Sequence, residues 1–172
     1  MYYLREIERK DIPKINEWRN DEELISLLGA PYRYINSDVD YKWYENYMAN
    51  RHNTVRCVIV NKKNDNIIGL ISLLNIDNTN RNCTIGIMIG EKENRSKGGG
   101  TFAMDKMIEH AFCNLNMERV ELTVLSDNQK AINLYEKVGF KCEGIKRNCV
   151  YKEGTYKNMK IMSILKEEYE KR

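Results

Sequence analysis

The sequence predicts a mixed α/β fold. It is a mostly antiparallel, twisted sheet of about seven strands, splayed in the middle, with four helices around it. Three observations carry this. Seven short segments alternate apolar and polar residues, the period of a half-buried strand. Four segments repeat apolar residues at three-to-four spacing, the period of an amphipathic helix. No linker, repeat or low-complexity tract separates them. A chain of 172 residues is long enough for a real core, so residues 1–172 read as one domain.

The elements follow in order. Met1 to Arg5 is the first strand. Asp11 is placed to cap a short helix, with Pro13 in its first turn and Ile12, Ile15 and Trp18 on its buried side. Glu22 to Asn36 is a loop-and-helix region broken by Pro31. Asp38 to Arg51 is the next helix. Its aromatic side, Trp43, Tyr44 and Tyr47 with Met48, belongs to a core more often than to a pocket. Thr54 to Val60 and Ile67 to Asn75 are strands joined by the turn at 61–66.

Thr84 to Gly90 alternates as the fourth strand. Ile85, Ile87 and Ile89 share one face; Gly86, Met88 and Gly90 share the other. Glycine inside a strand marks a bulge or a close backbone approach. Either the glycines serve packing, or the strand splays from its neighbour. A splayed strand leaves N–H and C=O groups that an extended amide chain can pair with.

Gly98, Gly99 and Gly100 then open a helix whose apolar face runs from Phe102 to Leu115. The first N–H groups of a helix lack internal partners and carry the positive end of its dipole. With Arg95 and Lys97 beside them, they suit an anion; the alternative is an ordinary flexible turn. No Lys-Ser/Thr pair follows the glycines, and G-x-G-x-x-G is absent, so the commoner nucleotide loops do not fit.

Val120, Leu122 and Val124 alternate in the strand at 119–125, parallel to the fourth. Ser126 and Gln129 fit a capping box for a helix from Asn128 to Val138, which Gly139 ends. Lys141 to Tyr151 and Lys157 to Leu165 are the last strands, turning at Glu153-Gly154.

Composition excludes several classes. A net charge of +3 is too mild for nucleic-acid binding, though it suits an anionic ligand. Five scattered cysteines without a C-x-x-C pair point to reduced thiols in a cytoplasmic setting. Two histidines, His52 and His110, give no zinc site at these spacings, and no metal is expected. No apolar run is long enough to span a membrane.

Two strings decide the function class. Arg95, Gly98 and Gly100 form R-x-x-G-x-G, and Asn128 to Phe140 reads N-x-x-A-I-x-L-Y-E-K-V-G-F. Together they resemble the coenzyme A segments of the GNAT superfamily of N-acetyltransferases. The strings Trp18-Arg-Asn-Asp21 and Glu153-Gly-x-Tyr156-x-Asn158 resemble its spermidine and ribosomal-protein branch. The resemblance implies acetyl transfer from acetyl-CoA to an amine. Arg95, Ser96, Lys97, Gly98, Gly99, Gly100 and Thr101 would hold the pyrophosphate. The backbone of Ile87, Met88 and Ile89 would line the cofactor arm and the acetyl carbonyl. Asn128, Lys130 and Lys137 would contact the cofactor, and Tyr135 would act as general acid near its sulfur.

The sequence departs from the family at the base. Relatives place a glutamate near the start of the splayed strand; here Asn82-Cys-Thr84 stands, and Glu91 lies on the loop side. No base is named. The acceptor is a small-molecule amine, with a polyamine such as spermidine favoured if Glu22, Glu23, Asp38 and Asp40 draw it by charge. Solvated surface carboxylates are the commoner case for such residues. A protein N-terminus, an amino-sugar nucleotide served by Tyr32, Arg33 and Tyr34, and a CoA-binding module without turnover remain as alternatives. Relatives range from monomers to dodecamers, so a homo-oligomer is left open.

Overall fold

The alternating segments pair into one sheet in a computed structural model that describes residues 1–172. The strands are β1 (Tyr2–Glu6), β2 (Val55–Asn61), β3 (Asn66–Asp77), β4 (Asn82–Ile89), β5 (Arg119–Leu125), β6 (Lys141–Lys152) and β7 (Thr155–Leu165). Their order is β1-β2-β3-β4-β5-β7-β6. Every neighbouring pair is antiparallel except β4 and β5, which run parallel as the crossover helix between them requires.

Six α-helices surround the sheet instead of the expected four: α1 (Ile12–Arg19), α2 (Glu22–Ser26), α3 (Ser37–Ala49), α4 (Gly99–Glu109), α5 (Gln129–Lys137) and α6 (Lys166–Tyr169). The extra two are α2 and α6, single turns too short to show a period. The expected helix to Leu115 ends early as an α-helix and continues as a π-helical turn over His110–Asn114.

The sheet buries both faces, and the strand period of two divides them. In β2, Ile59 faces the α4–α5 side while Val58 and Val60 face the α1–α3 side. The larger core joins Ile85, Val120 and Leu122 to Met104, Met107 and Ile108 of α4 and Ile132 of α5. The smaller one joins Ile12, Ile15 and Trp18 of α1 to Tyr47 of α3. Tyr47 thus meets the core expectation, whereas Met48 of the same aromatic side is exposed. No helix is long and apolar enough to cross a membrane.

Two capping expectations, at Asp11 and Ser126, are corrected. Asp11 does not cap α1; its carboxylate accepts from the Glu8 N–H at 2.8 Å and pairs bidentately with Arg5 at 2.7 and 2.8 Å. The helix expected from Asp38 begins at Ser37, with Asn36 as its cap accepting from the Asp38 N–H at 2.7 Å. Asn128, not Ser126, caps α5 by accepting from the Ala131 N–H at 3.2 Å. Each true cap is the residue whose extended or intermediate backbone directly precedes the helix. The Glu153-Gly154 turn stands as expected, with φ of +51° and +79°, both left-handed.

Asp40 is the largest departure. It is fully buried, held by Arg19 of α1 and by Asn16 Nδ2 at 2.7 Å. It therefore locks α3 to α1 and is no surface carboxylate. Arg19→Ala leaves this buried carboxylate without its cation. We expect a loss of about 3 kcal/mol, read as a melting temperature lower by about 6–12 °C in calorimetry.

A second electrostatic tie crosses the far sheet edge. Arg119 of β5 donates to both Glu143 carboxylate oxygens, at 2.7 and 2.5 Å, and Ser163 Oγ adds a bond at 2.8 Å. Arg119 first, then Ser163, hold the Glu143 carboxyl down to about 2. A lowered carboxyl stabilises the fold above its unfolded value of about 4.3 and ceases to do so as pH falls through its folded value. Between about pH 4.3 and about 2, wild type should lose stability more steeply than Glu143→Gln in acid unfolding followed by circular dichroism.

Candidate active site

The pairing of β4 with β5 stops after three positions: Asn82 with Arg119, Cys83 with Val120, and Thr84 with Glu121. On its other side β4 stays paired with β3 up to Ile89. The two central strands therefore diverge, and a gap opens in the middle of the sheet. Gly86 is exposed there, although its strand has three others on either side.

Strand alternation states which groups face the gap. The Gly90 N–H donates to Ile68 O of β3 at 2.9 Å. The Arg81 carbonyl, on the opposite parity, accepts from Arg119 N at 3.2 Å on the β5 side. Even-numbered backbone groups of β4 thus turn to β3, and odd-numbered ones turn to β5. Beyond Thr84 the N–H and C=O of Ile87 and Ile89 face the gap without a strand partner. Met88 turns its own amide toward β3, so of the three backbone positions expected to line a cofactor arm, it is the one engaged within the sheet.

The glycine turn lies at the open end of β4. Arg95 Nη2 donates to the Gly90 carbonyl at 3.1 Å, and its buried Nε has no partner in the protein. Ser96 and Gly98 both take positive φ, +62° and +87°. The ladder of α4 begins with Phe102 N–H to Gly98 O at 3.0 Å. The N–H groups of Gly99, Gly100 and Thr101 precede it and have no helical acceptor, as a first helical turn dictates. Lys97 contributes its carbonyl to Tyr2 Oη at 3.0 Å, while its side chain is exposed. The turn thus offers what an anion needs, free N–H groups at the positive end of a helix dipole.

At Gly100 three elements converge. A Cβ there would stand 3.3 Å from Leu134 Cδ2 of α5, 3.9 Å from Ile89 Cγ1 and 4.0 Å from Ile87 Cδ1. The glycine turn, α5 and the gap-facing strand are thus brought together. Asn128 caps α5 and spends its Nδ2 on Leu27 O at 2.9 Å, so its side chain is already used at both ends. Ser126, displaced from the capping role, keeps a buried Oγ without a partner. Lys130 and Lys137 lie two turns apart on the exposed stripe of α5.

Tyr135 is 9 % exposed and packs in the cluster that holds Ile85 and Val124, with its ring 6.1 Å from that of Phe140. Burial alone pushes its phenol up to about 12. At neutral pH it is a proton donor and not a base.

The α1–α2 segment spans the mouth of the gap. On one side Trp18 lies directly on Gly90 of β4, where any Cβ would meet the indole ring at 2.0 Å. Gly90 thus serves packing, whereas a Cβ at Gly86 would meet nothing within 4 Å. On the other side the residues after α2 lie against Asn128 and Met159. We call residues 25–30 the strap.

Two further groups were not found by motif. Lys152 of β6 is buried against the strap, and Arg56 of β2 is held over the Trp43 ring at 4.7 Å with its Nε buried and unpartnered. A charged residue in a strand pattern gives no sign of such burial. Of the acidic residues, Glu91 is paired with Lys14 at 2.5 Å and Glu23 with Lys92 at 2.9 Å. Glu22 and Asp38 are exposed. Glu121 is the carboxylate in register with Thr84 at the fork itself, 3.1 Å from Arg119.

Comparison with known proteins agrees with this geometry. Residues 2–141 match the acetyltransferase (GNAT) domain family. The chain is 30% identical over 168 residues to a spermidine N(1)-acetyltransferase of Vibrio cholerae, covering 96% of this chain and 94% of that one. It is 38% identical over 104 residues to a putative ribosomal N-acetyltransferase of Bacillus subtilis, covering 60% and 56% respectively. The crystal structure of spermidine N-acetyltransferase from Vibrio cholerae, in complex with CoA and spermine, superposes with a TM-score of 0.91 at 28% identity, over 98% of this chain and 97% of that one. The chain belongs to the GNAT acetyltransferases and is an acetyl-CoA-dependent N-acetyltransferase.

Proposed function

We propose that residues 1–172 form one N-acetyltransferase domain whose acceptor is a small aliphatic polyamine, with spermidine as the reference substrate. The observation that carries this is the strap region: exposed Glu22 and Asp38 flank the segment that bridges the gap, where a polycation gains from their charge. The spermidine acetyltransferase relative, matched nearly end to end, supports the same acceptor.

Acetyl-CoA supplies a thioester whose carbonyl carbon the amine attacks. In this reading the cradle from Arg95 to Thr101 binds the pyrophosphate, and the gap-facing groups of Ile87 and Ile89 pair with the extended arm as a strand would. One of those N–H groups holds the carbonyl oxygen as charge develops on it. Lys130 lies in the first turn of α5, where it adds positive charge to the cofactor side, and Lys137 extends the same stripe. Asn128 acts through the cap, fixing the start of α5.

A carbon–nitrogen bond forms, the carbon–sulfur bond breaks, and one proton passes from nitrogen to sulfur. Tyr135 donates a hydrogen bond, then its proton, to the departing sulfur. Its phenol near 12 is a weaker acid than a thiol in water, near 8.5. The burial that lifts the phenol lifts a thiol in the same site too, which narrows the mismatch. The phenol recovers its proton from the amine side of the gap.

Three outcomes are expected. In thiol-release assays against spermidine, spermine, amino sugars and short peptides, spermidine should be turned over best. Tyr135→Phe should lower kcat about 10²-fold without changing acetyl-CoA affinity. The phenol stays protonated below about 12, so wild-type kcat/KM for spermidine should climb from pH 7 to 9.5 as the amine deprotonates, with no fall from Tyr135 in that window. Preferential turnover of a peptide would replace the polyamine reading; full activity in Tyr135→Phe would remove the tyrosine from the chemistry.

Gly98→Ala tests the cradle. Its φ of +87° suits glycine, and a Cβ there costs about 1–2 kcal/mol. Isothermal titration should show CoA bound about tenfold more weakly, with spermidine KM unchanged. Undiminished CoA binding would move the pyrophosphate away from this turn.

A further inference from the structure

Lys152 is a strand lysine of which only 7 % is exposed. Its ammonium meets no carboxylate. It donates instead to three backbone carbonyls: Ile25 O at 2.7 Å, Leu28 O at 2.6 Å and Ala30 O at 2.7 Å. All three belong to the strap, more than 120 residues away in the chain. They lie at the C-terminal end of α2 and just beyond it, where the negative end of the helix dipole favours a cation.

The cage is matched to this side chain. Three convergent acceptors use all three N–H donors of an ammonium, whereas a guanidinium offers a planar fork. The strap is also fastened from its other side. Asn128 Nδ2 donates to Leu27 O at 2.9 Å, and Gly29 lies against Met159, whose Cε would stand 2.6 Å from any Cβ there. Four strap carbonyls are thus held by side chains of β6 and α5. These elements stand on the β5–β7 side of the gap, and Trp18 fastens the preceding segment to β4 on the opposite side.

A segment fastened on both banks of an opening sets its width. We propose that Lys152 is a positioning residue for the acceptor, holding residues 25–30 across the mouth of the gap and so fixing where the amine enters relative to Ile87 and Ile89. The proposal rests on the placement of acetyl transfer in the gap. It assigns Lys152 no part in the chemistry and no contact with the cofactor.

Lys152→Met and Lys152→Arg test it in the full chain. Several strap amides are protected in the native fold, Leu27 N–H by Leu24 O and Leu28 N–H by Ile25 O among them. Their hydrogen exchange is expected to quicken at least tenfold in Lys152→Met and by less in Lys152→Arg, with exchange in β2 and β3 unchanged. With spermidine and acetyl-CoA, the spermidine KM is expected to rise at least tenfold while the acetyl-CoA KM stays within twofold.

Unchanged strap exchange overturns the proposal. So does an equal rise in both KM values, or a fall in kcat alone, which is what a smaller folded fraction gives. If Lys152→Met does not fold, Lys152→Arg carries both measurements. If wild type leaves spermidine untouched, the acceptor reading fails on its own, and the exchange comparison still decides the role of Lys152.

Discussion

Parallel pairing that ends after Thr84 and Glu121 leaves a row of backbone groups unpaired at the centre of a seven-stranded sheet. Buried backbone groups without partners are costly, so a fold that keeps such a row must hold its two strands apart by other means. Here α4 and α5 pack beneath the gap through Ile87, Ile89 and Leu134, and the α1–α2 segment bridges its mouth. What remains between them is a slot whose edge accepts an extended amide chain, and whose end is a helix terminus that accepts an anion. Acetyl-CoA presents both features in one molecule, and the GNAT match over residues 2–141 makes the chain an acetyltransferase.

The side chains around the slot divide by environment. Tyr135 is held in an apolar cluster and stays protonated, which fits a donor. The carboxylates near the fork are largely engaged: Asp40 by Arg19, Glu91 by Lys14, Glu121 by Arg119. Glu22 and Asp38, at either end of the strap region, are exposed. Their charge suits the cationic acceptor proposed above.

Much of this was legible in the sequence, because regular periods and local chemistry dominate these segments. The seven strands follow from alternation and α4 and α5 from their apolar stripes, while the splay was one of two readings that the glycines of β4 left open. Gly86 and Gly90 carry the same signal for different reasons, one facing open space and the other lying under Trp18. Only the packing separates them. The helix α6 was illegible since Lys166-Glu-Glu-Tyr169 has no period, while α2 was expected only as part of a loop-and-helix region because one turn is too short to fix its bounds. Asp40 reads as a surface carboxylate and Lys152 gives no signal at all, because burial of a charge is decided by distant partners, Arg19 for one and three strap carbonyls for the other. Ser126 lost the cap to Asn128 through a difference of backbone conformation that a four-residue motif does not encode.

The central claim is that odd-numbered backbone groups of β4 face the gap and receive the cofactor arm. Amide hydrogen exchange at single-residue resolution, by NMR with and without acetyl-CoA, tests it most directly. The account requires strong added protection at Ile87 and Ile89 on binding, with Met88 between them already protected and little changed. Protection confined to the α4 cradle, with Ile87 and Ile89 still exchanging freely, would contradict it.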